Sequence, residues 1–221
     1  MIAIILPTRG LVFSEVVEAI ERERNTINED TVLFMSTDKP IPEAQNFLVE
    51  QALENPNVTH IFSVEEDTVP PAGALEQLLR CDSDIAAIDY GVSGWGCIAK
   101  NKQGEILWCG LGCVLIKRKV FETMEYPYFR TDKALRLNDW TWQDLPEQYT
   151  KTGGYGGLDI WFCCEARRLG FKIKEIEDME CKHLQLDKLG EKEYNNGIHI
   201  ISQKPMIEKY QIIEERRENG F

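Results

Sequence analysis

The sequence predicts an α/β fold with a single doubly wound, mostly parallel sheet that is flanked by helices. In the first half of the chain, short apolar runs alternate with amphipathic segments in the order strand, helix, strand, helix, strand. Continuous apolar runs are typical of parallel strands covered on both faces, and the alternation is typical of doubly wound sheets. With 221 residues and 43% hydrophobic composition, the chain is long enough for one domain with a sizeable core.

Five elements make up this alternation. Strands are expected at residues 2–6, 31–35 and 60–64. A helix is expected from Ser14 to Arg24, with Ser14 as its N-cap, because apolar residues follow at helical spacing. A second helix is expected to open at Pro42, since proline is favoured in the first turn.

The second half of the chain is less regular. Its expected elements are a helix at 73–79, a strand at 84–90, a hairpin within 91–108, a strand at 110–116, a loop at 127–157, a helix at 158–169 and a strand at 171–176. The hairpin is a small antiparallel addition to the sheet, and a charged amphipathic helix is expected near 203–218. The chain is thus divided into a domain at 1–185, with halves of about 1–90 and 91–185, and a C-terminal helical extension at 186–221.

The net charge of −12 at neutral pH argues against partners with dense negative charge. The long-range field of such a chain repels nucleic acids and anionic membranes, so neither is an expected partner. No segment approaches the roughly 20 apolar residues that span a bilayer, and the apolar start of the chain ends at Pro7 without a basic region before it. Seven cysteines with no CxxC pair predict reduced thiols and a cytoplasmic location, while the oligomeric state stays open.

Polar residues follow each of the first three expected strands. They are Thr8-Arg9, Thr37-Asp38 and Glu65-Glu66-Asp67. Because ligands bind beyond the carboxyl ends of parallel strands, these turns predict a ligand site. Side chains at i and i+2 of a strand point the same way, so Glu65 and Asp67 are expected to form a pair that attracts Mg²⁺ or Mn²⁺. The alternative is a solvated acidic loop.

Seven motifs follow one another along residues 2–185. They are Pro7-Thr-Arg9, Gln45-Asn46, the segments 60–71, 110–117, 126–129 and 156–163, and Cys181-Lys-His-Leu184. In this order they resemble the nucleotide-sugar-dependent glycosyltransferases of GT-A type, close to family 2. The resemblance implies a Rossmann-like GT-A fold that binds the nucleotide through its first half and the acceptor through its second half.

The resemblance implies a set of metal ligands. In these enzymes the loop after the third strand holds an Asp-x-Asp motif, which binds a divalent metal that bridges the diphosphate of the donor. Glu65 and Asp67 occupy the corresponding positions, with Glu65 replacing the usual Asp, and His183 resembles a late metal-ligating histidine. An imidazole beside carboxylates suits Mn²⁺ at least as well as Mg²⁺, so Mn²⁺ is favoured. A partly buried structural histidine is the alternative for His183.

The resemblance also implies contacts to the nucleotide. The residues assigned to it are Pro7, Thr8, Arg9, Asp38, Asn46 and Glu66. Arg9 is expected near the diphosphate, and Asp38 resembles the acid that reads the base. Gln45 stands where many relatives have arginine, which weakens a diphosphate role for that helix. The alternatives are a turn with a surface arginine and a turn-forming aspartate at position 38.

Asp159 is the candidate catalytic residue. It ends a glycine-rich segment that resembles the flexible segment of the family, with Leu158 in place of a glutamate. There it would take the proton from an acceptor hydroxyl, whereas the alternative is a helix-capping aspartate. Trp140 and Trp142 are expected to form an acceptor platform for apolar sugar faces, and Trp161 is expected to lie in the core.

The sequence and its resemblance together predict a metal-dependent glycosyltransferase. It would move a sugar from a nucleoside diphosphate sugar, with UDP favoured, to a carbohydrate or another hydroxyl acceptor. A sugar nucleotidyltransferase is a second interpretation, but it would need a glycine-rich basic phosphate loop where this chain has Pro-Thr-Arg-Gly-Leu. A binding module of the same fold without catalysis is a third, since Glu65 and Leu158 depart from the family pattern. Inversion and retention of the anomeric centre both stay open.

Overall fold

A computed structural model describes residues 1–8, 10–36, 39–92, 95–136, 141–144, 157–184 and 198–199. Within them the strands are Ile2–Pro7 (β1), Val12–Phe13 (β2), Thr31–Ser36 (β3), His60–Val64 (β4), Thr68–Val69 (β5), Ile85–Val92 (β6), Trp95–Gly96 (β7), Ala99–Lys100 (β8), Ile106–Trp108 (β9), Cys113–Lys117 (β10), Lys133–Arg136 (β11), Thr141–Asp144 (β12), Ile173–His183 (β13) and Ile198–His199 (β14). The helices are Ser14–Thr26 (α1), Glu43–Glu54 (α2), Ala74–Arg80 (α3), Arg118–Thr123 (α4) and Leu158–Arg168 (α5). None of these described helices is long and apolar enough to cross a membrane.

The main sheet confirms the predicted fold class. Its strands follow the order β3-β1-β4-β10-β6-β13-β5, and β7 pairs with β6. β1 is parallel to β3 and β4, and β6 is parallel to β13, while β10 is antiparallel to both of its neighbours. β4 and β6 therefore run in the same direction, which makes the sheet mixed but mostly parallel. As a consequence, the carboxyl ends of β1, β4, β6 and β13 lie at one edge.

Apolar side chains cover both faces of the sheet, as the continuous apolar strands predict. Ala3 and Ile5 of β1 belong to one core cluster, whereas Ile2, Ile4 and Leu6 belong to the other. Helices α2, α4 and α5 contribute to the first cluster, and α1 and α3 contribute to the second. The core thus consists of two apolar layers around one sheet, and the polar strand ends lie beyond them.

Element boundaries differ from the predictions where tertiary pairing decides them. Helix α1 begins at Ser14 itself, so the predicted N-cap is wrong. Phe13 holds the N-cap position without a side-chain cap, because it is buried and its backbone pairs with β14. Strand β13 continues to His183 rather than ending near residue 176, because its second half pairs with β6 and β5 beyond a register shift.

The region predicted as one long loop contains a hairpin. β11 and β12 pair antiparallel within residues 127–157, and their four residues each are too few for an alternating pattern to be recognised. The antiparallel addition predicted near 91–108 is confirmed as β8 paired with β9. The helix predicted at 203–218 lies outside the described residues, as does all of the extension at 186–221 except 198–199.

A buried glutamate connects helix α1 to the segment that follows β5. The Glu23 carboxylate accepts hydrogen bonds from the backbone N–H groups of Gly73 (3.2 Å) and Leu75 (3.1 Å) at the start of α3. Arg22 pairs with the same carboxylate at 3.0 Å and donates to the carbonyl of Pro70 at 2.6 Å. A carboxylate is favoured at a helix N-terminus by the unpaired N–H groups there. The contact therefore anchors the chain directly beyond β5.

Replacing Gly112 with alanine is expected to destabilise the fold by about 1–3 kcal/mol. A Cβ at this position would lie 2.6 Å from Thr68 Oγ1 and 2.9 Å from the ring of Tyr90, and both neighbours are buried. Gly91→Ala is the matched control, because a Cβ there meets nothing within 4 Å. The control should change the free energy of unfolding by less than about 0.5 kcal/mol. Urea denaturation measures both variants, and equal midpoints would contradict the close packing at Gly112.

Candidate active site

A pocket of about 450 Å³ opens at the edge where β1, β4, β6 and β13 end. Its described lining residues are Pro7, Ile41, Glu65, Glu66, Asp67, Tyr90, Cys97, Leu158, Asp159 and His183. Six of the ten predicted site residues are among them, and four of the lining residues are acidic. The acidic turn after β4 therefore meets the ends of β1, β6 and β13 at one place, in line with the rule for parallel sheets, while Arg9 and the turn at Thr37-Asp38 lie outside the described residues.

The acidic tripeptide lies on a turn rather than on a strand. The backbone N–H of Thr68 donates to the carbonyl of Glu65 at 3.2 Å, and the N–H of Glu65 donates to the carbonyl of Gly112 at 3.3 Å. The expected i, i+2 strand geometry for Glu65 and Asp67 is wrong, because β4 ends one residue before Glu65. Glu66 is only 3% exposed and lines the pocket with the other two acids. The turn, rather than strand alternation, gathers the three carboxyl groups.

Strand pairing places His183 beside Asp67. His183 lies opposite Thr68 in the pair of β13 and β5, and the N–H of Leu184 donates to the carbonyl of Asp67 at 2.7 Å. The imidazole Nε2 lies 3.7 Å from Asp67 Oδ2. Among the described residues, His183 Nδ1 is buried without a hydrogen-bond partner. Two potential metal ligands from distant parts of the chain therefore lie side by side.

Tyr90 is a site residue that the sequence motifs do not reveal. Its ring stacks on the imidazole of His183, with centroids 5.6 Å apart and an interplanar angle of 25°. Its hydroxyl accepts a hydrogen bond from the N–H of Gly112 at 3.2 Å and donates to Glu65 Oε2 at 3.4 Å. Burial, and then the charge of Glu65, raise the pKa of Tyr90 well above its usual value, so the hydroxyl stays protonated. The one sequence feature that points to Tyr90 is the pair of glycines at positions 110 and 112, which indicates a close approach to the backbone there. In the structure, a Cβ on Gly110 or Gly112 would collide with Tyr90.

Burial raises the pKa values of two acids in the pocket. Burial, followed by the negative charges of Asp67 and Asp159, raises the pKa of Glu65 to about 8. Burial also raises the pKa of Asp159, although its Oδ1 accepts a hydrogen bond from the N–H of Ile160 at 2.9 Å. The pKa of the Cys97 thiol is raised to about 12 by burial, so it is neutral at physiological pH. Such a pocket favours a cation or a positively charged group.

Asp159 lies in the first turn of α5. Gly157 precedes the helix with a φ of 116°, a left-handed conformation that a side chain would strain, and its carbonyl accepts from the N–H of Trp161 at 2.6 Å. The chain turns at this glycine, and Leu158 and Asp159 then line the pocket. Both interpretations of Asp159 agree with this position, since it is a first-turn acid and also a pocket residue.

Two residues that are predicted to contact the nucleotide, Thr8 and Asn46, form side-chain hydrogen bonds to the protein backbone. The buried Thr8 hydroxyl donates to the carbonyl of Leu11 at 2.8 Å and accepts from the N–H of Gly10 at 2.9 Å, which shapes the turn after β1. The Asn46 side-chain amide donates to the carbonyl of Phe129 at 2.9 Å and accepts from its N–H at 3.1 Å. Asn46 is absent from the described lining of the pocket. The nucleotide roles of both residues stay predictions.

Several predicted residues lie outside the described part of the chain, and one predicted core residue is not in the core. The predicted site residues outside the described part of the chain are Arg9, Asp38, Trp140 and the side chain of Trp142. The expected core position of Trp161 is wrong, because the residue is only half-buried and the guanidinium of Arg130 lies 5.1 Å from its ring centroid. The buried stripe of α5 consists instead of Leu158, Phe162, Cys163 and Ala166.

The side chains of Asp67 and His183 are of the types that bind divalent cations. Among the described residues, no group of three or more His, Cys, Asp and Glu side chains is arranged to hold a metal ion. Adjacent ligands of an octahedral cation at about 2.1 Å lie about 3 Å apart, so these two atoms, 3.7 Å apart, would have to move slightly closer to share one Mg²⁺ or Mn²⁺, whose other ligands commonly come from substrate phosphates and water. The imidazole in this pair favours Mn²⁺ over the harder Mg²⁺.

Comparison with known proteins agrees with the fold. No family model and no curated protein matches the chain. Protein A197 from STIV is similar over 93% of this chain and 98% of its own, with 15% identity and a TM-score of 0.59. The catalytic domain of Drosophila β1,4-galactosyltransferase 7, in complex with xylobiose, is similar over 92% of this chain and 71% of its own, with 14% identity and a TM-score of 0.50. The chain therefore has a GT-A-like fold, as its motifs predict, and at these identities the similarity concerns the fold alone.

Replacing Tyr90 with phenylalanine is expected to lower stability by about 1–3 kcal/mol, because the N–H of Gly112 is left buried without its acceptor. Tyr126→Phe is the control, since Tyr126 is 58% exposed and should change the free energy of unfolding by less than about 0.5 kcal/mol. Urea unfolding measures both. If Tyr90→Phe is as stable as the control, the hydroxyl does not hold the acidic turn.

Proposed function

We propose that this protein transfers a sugar from a nucleoside diphosphate sugar to a hydroxyl group of a carbohydrate or another acceptor, an activity of hexosyltransferase type. UDP-sugars are the favoured donors, and the cytoplasm is the proposed location. The observation that carries the proposal is the convergence of Asp67, His183 and Asp159 in one pocket at the strand ends of a GT-A-like sheet. Ligands of open α/β sheets bind at this edge.

Asp67 and His183 are the residues that would hold Mn²⁺ or Mg²⁺. When bound, the cation neutralises charge that develops on the leaving diphosphate. The 3.7 Å separation of Asp67 Oδ2 and His183 Nε2 supports this assignment. Glu65 Oε2 accepts a hydrogen bond from Tyr90 at 3.4 Å, so Glu65 is proposed to contact the donor directly or through water rather than to be the main metal ligand.

The nucleotide is proposed to lie along the turn after β1. Pro7 lines the pocket, and the hydroxyl of Thr8 shapes that turn. Arg9 is proposed to contact the diphosphate and Asp38 the base, since both follow strands that end at this edge. Glu66, which is buried and lines the pocket, is proposed to complete its donor side.

Asp159 is proposed to take the proton from the acceptor hydroxyl as that oxygen attacks the anomeric carbon. The new C–O bond forms while the bond to the diphosphate breaks, and the diphosphate leaves with the electron pair of that bond. Burial raises the pKa of Asp159, which makes its carboxylate a stronger base than a solvated aspartate. Attack from the face opposite the leaving group would invert the anomeric centre, and retention stays open.

A binding module without catalysis is the second candidate function. Asp159 Oδ1 already accepts a hydrogen bond from Ile160 N–H, and Leu158 stands where the resembled family has a glutamate. Hydrolysis of a UDP-sugar in the presence of Mn²⁺ separates the two functions, because a transferase slowly releases UDP even without an acceptor. A sugar nucleotidyltransferase would instead release pyrophosphate from a nucleoside triphosphate.

UDP is expected to bind only when Mn²⁺ is present. Isothermal titration of UDP and of GDP, each with Mn²⁺ and with EDTA, measures this and identifies the base. Asp67→Asn should weaken UDP binding at least about tenfold, which corresponds to about 1.4 kcal/mol, because a neutral amide is a poorer ligand for a hard cation.

Asp178→Asn is the matched control for this titration. Asp178 is exposed on β13 and is not part of the described pocket lining, so the variant has the same change in charge and should bind UDP normally. Equal weakening in both variants would indicate a long-range charge effect instead of ligation. Binding of UDP in EDTA would contradict the proposed metal dependence.

Asp159→Asn is expected to retain UDP affinity and to lower the rate of UDP-sugar hydrolysis or transfer by about 10² or more, since a general base contributes about 10²–10⁴ to a rate. Asparagine can still accept the hydrogen bond from Ile160 N–H, so α5 should stay intact. Detection of released UDP gives the rate. An unchanged rate would exclude Asp159 as the base.

A further inference from the structure

Two further cavities lie beyond the candidate active site. Ile41 lines both the active-site pocket and a second cavity of about 660 Å³. Tyr126, Pro127 and Arg130 line both this second cavity and a third one of about 280 Å³. The three cavities are therefore neighbours that share lining residues, and the second and third together form what we call the lateral groove.

Helix α5 lines both the active-site pocket and the third cavity. Its first turn places Asp159 in the active-site pocket, and Trp161, Glu165 and Arg168 line the far cavity. Their i, i+4, i+7 spacing puts these three residues on one stripe of the helix. Asp159 lies about half a turn around the helix from this stripe, since an α-helix has about 3.6 residues per turn. The active-site pocket and the far cavity therefore meet α5 on different faces, with Asp159 and Arg168 about 14 Å apart along its axis.

We propose that the lateral groove binds the unreactive part of an extended carbohydrate acceptor, so that the acceptor is a linear chain of two or more sugars. The reacting hydroxyl would lie near Asp159, and the following sugar rings would lie past Ile41 and against Tyr126. The inference rests on the proposed glycosyltransferase function and adds the class of acceptor to it.

Tyr126 offers the exposed aromatic surface that a sugar chain requires. It is 58% exposed, the largest fraction among the large hydrophobic side chains of the described residues. The ring of Tyr128 lies edge-to-face against it, with centroids 5.7 Å apart, and supports it from one side. Sugar rings present apolar C–H faces, which pack on aromatic rings. Tyrosine provides this contact area at low cost in side-chain entropy.

Arg130 is held in a fixed position within the groove. Its Nε donates to Asp132 Oδ1 at 2.8 Å within a two-point ion pair, and its guanidinium lies 5.1 Å from the ring centroid of Trp161. In the far cavity, Arg168 pairs with Glu165 at 2.8 Å. Paired groups of both signs provide donors and acceptors for hydroxyl groups without attracting a strongly charged ligand.

A peptide is a poorer occupant of the lateral groove. Peptides that bind by backbone pairing need a free strand edge, and no described residue that lines the groove belongs to a strand. Helical peptides need a continuous apolar groove, whereas here the lining contains the ion pairs Arg130–Asp132 and Arg168–Glu165 beside the aromatic rings. A neutral carbohydrate chain matches both the rings and the ion pairs.

An array of immobilised linear oligosaccharides tests the proposal, with UDP and Mn²⁺ present throughout. We expect the protein to be retained on disaccharides or longer chains and at least about tenfold more weakly on single sugars. Tyr126→Ala and Arg130→Ala should each weaken retention about tenfold, while titration with UDP and Mn²⁺ stays unchanged because neither residue lines the active-site pocket.

Two variants outside the groove are matched controls. Phe47→Ala removes a ring that is 38% exposed on α2, and Arg80→Ala removes an arginine that pairs with Glu76 at 2.6 Å. Neither residue is among the described lining of the groove. Both variants should therefore be retained like the unmodified protein.

The outcomes separate this proposal from the function on which it rests. Three results would overturn the proposal. The protein is retained on no carbohydrate, it is retained equally on single sugars, or Tyr126→Ala leaves the retention unchanged. Retention on a parallel peptide array instead, lost in Tyr126→Ala, assigns the groove to a peptide acceptor and also overturns it. Failure of UDP to bind with Mn²⁺ contradicts the proposed function itself.

Discussion

Backbone pairing between β5 and β13 is the interaction on which the candidate active site depends. It sets His183 opposite Thr68, and the N–H of Leu184 holds the carbonyl of Asp67 at 2.7 Å. β13 also pairs with β6, which brings the ring of Tyr90 against the imidazole. Asp67 and His183 are far apart in the sequence, so they meet only when β13 has paired with β5.

This assembly concentrates negative charge at one edge of the sheet. Burial and the neighbouring acids raise the pKa of Glu65 to about 8, because each further charge in the pocket is unfavourable. Buried like charges cost free energy unless hydrogen-bond donors or a cation offset them. Tyr90 provides one donor, 3.4 Å from Glu65 Oε2. The shift keeps Glu65 mostly protonated at neutral pH, and a cation beside Asp67 and His183 would favour the charged forms of the acids around it.

Local sequence patterns indicate the fold and the edge where the site lies, but not how its residues meet. The apolar run at residues 2–6 is sufficient to predict a buried parallel strand, because the hydrophobic pattern decides this. The polar turn after it is sufficient to predict the ligand-binding edge, because ligands bind where parallel strands end. The direction of β10 and the length of β13 depend on their pairing partners. The positions of the Tyr90 and Trp161 side chains depend on packing between residues that are distant in the sequence. Gly110 and Gly112 leave room for the ring of Tyr90, and the guanidinium of Arg130 lies over the ring of Trp161. Neither contact can be predicted from the spacing of residues along the sequence.

We propose above that Asp67 and His183 bind a divalent cation together with a nucleoside diphosphate, and the claim concerns the position of that cation. Anomalous X-ray scattering from crystals grown with UDP and Mn²⁺ tests it most directly, because it locates the manganese independently of the protein. We expect a manganese peak within bonding distance of Asp67 and His183, with diphosphate oxygens among its other ligands. A peak at a different place, or UDP bound in this pocket without any cation, would contradict the claim.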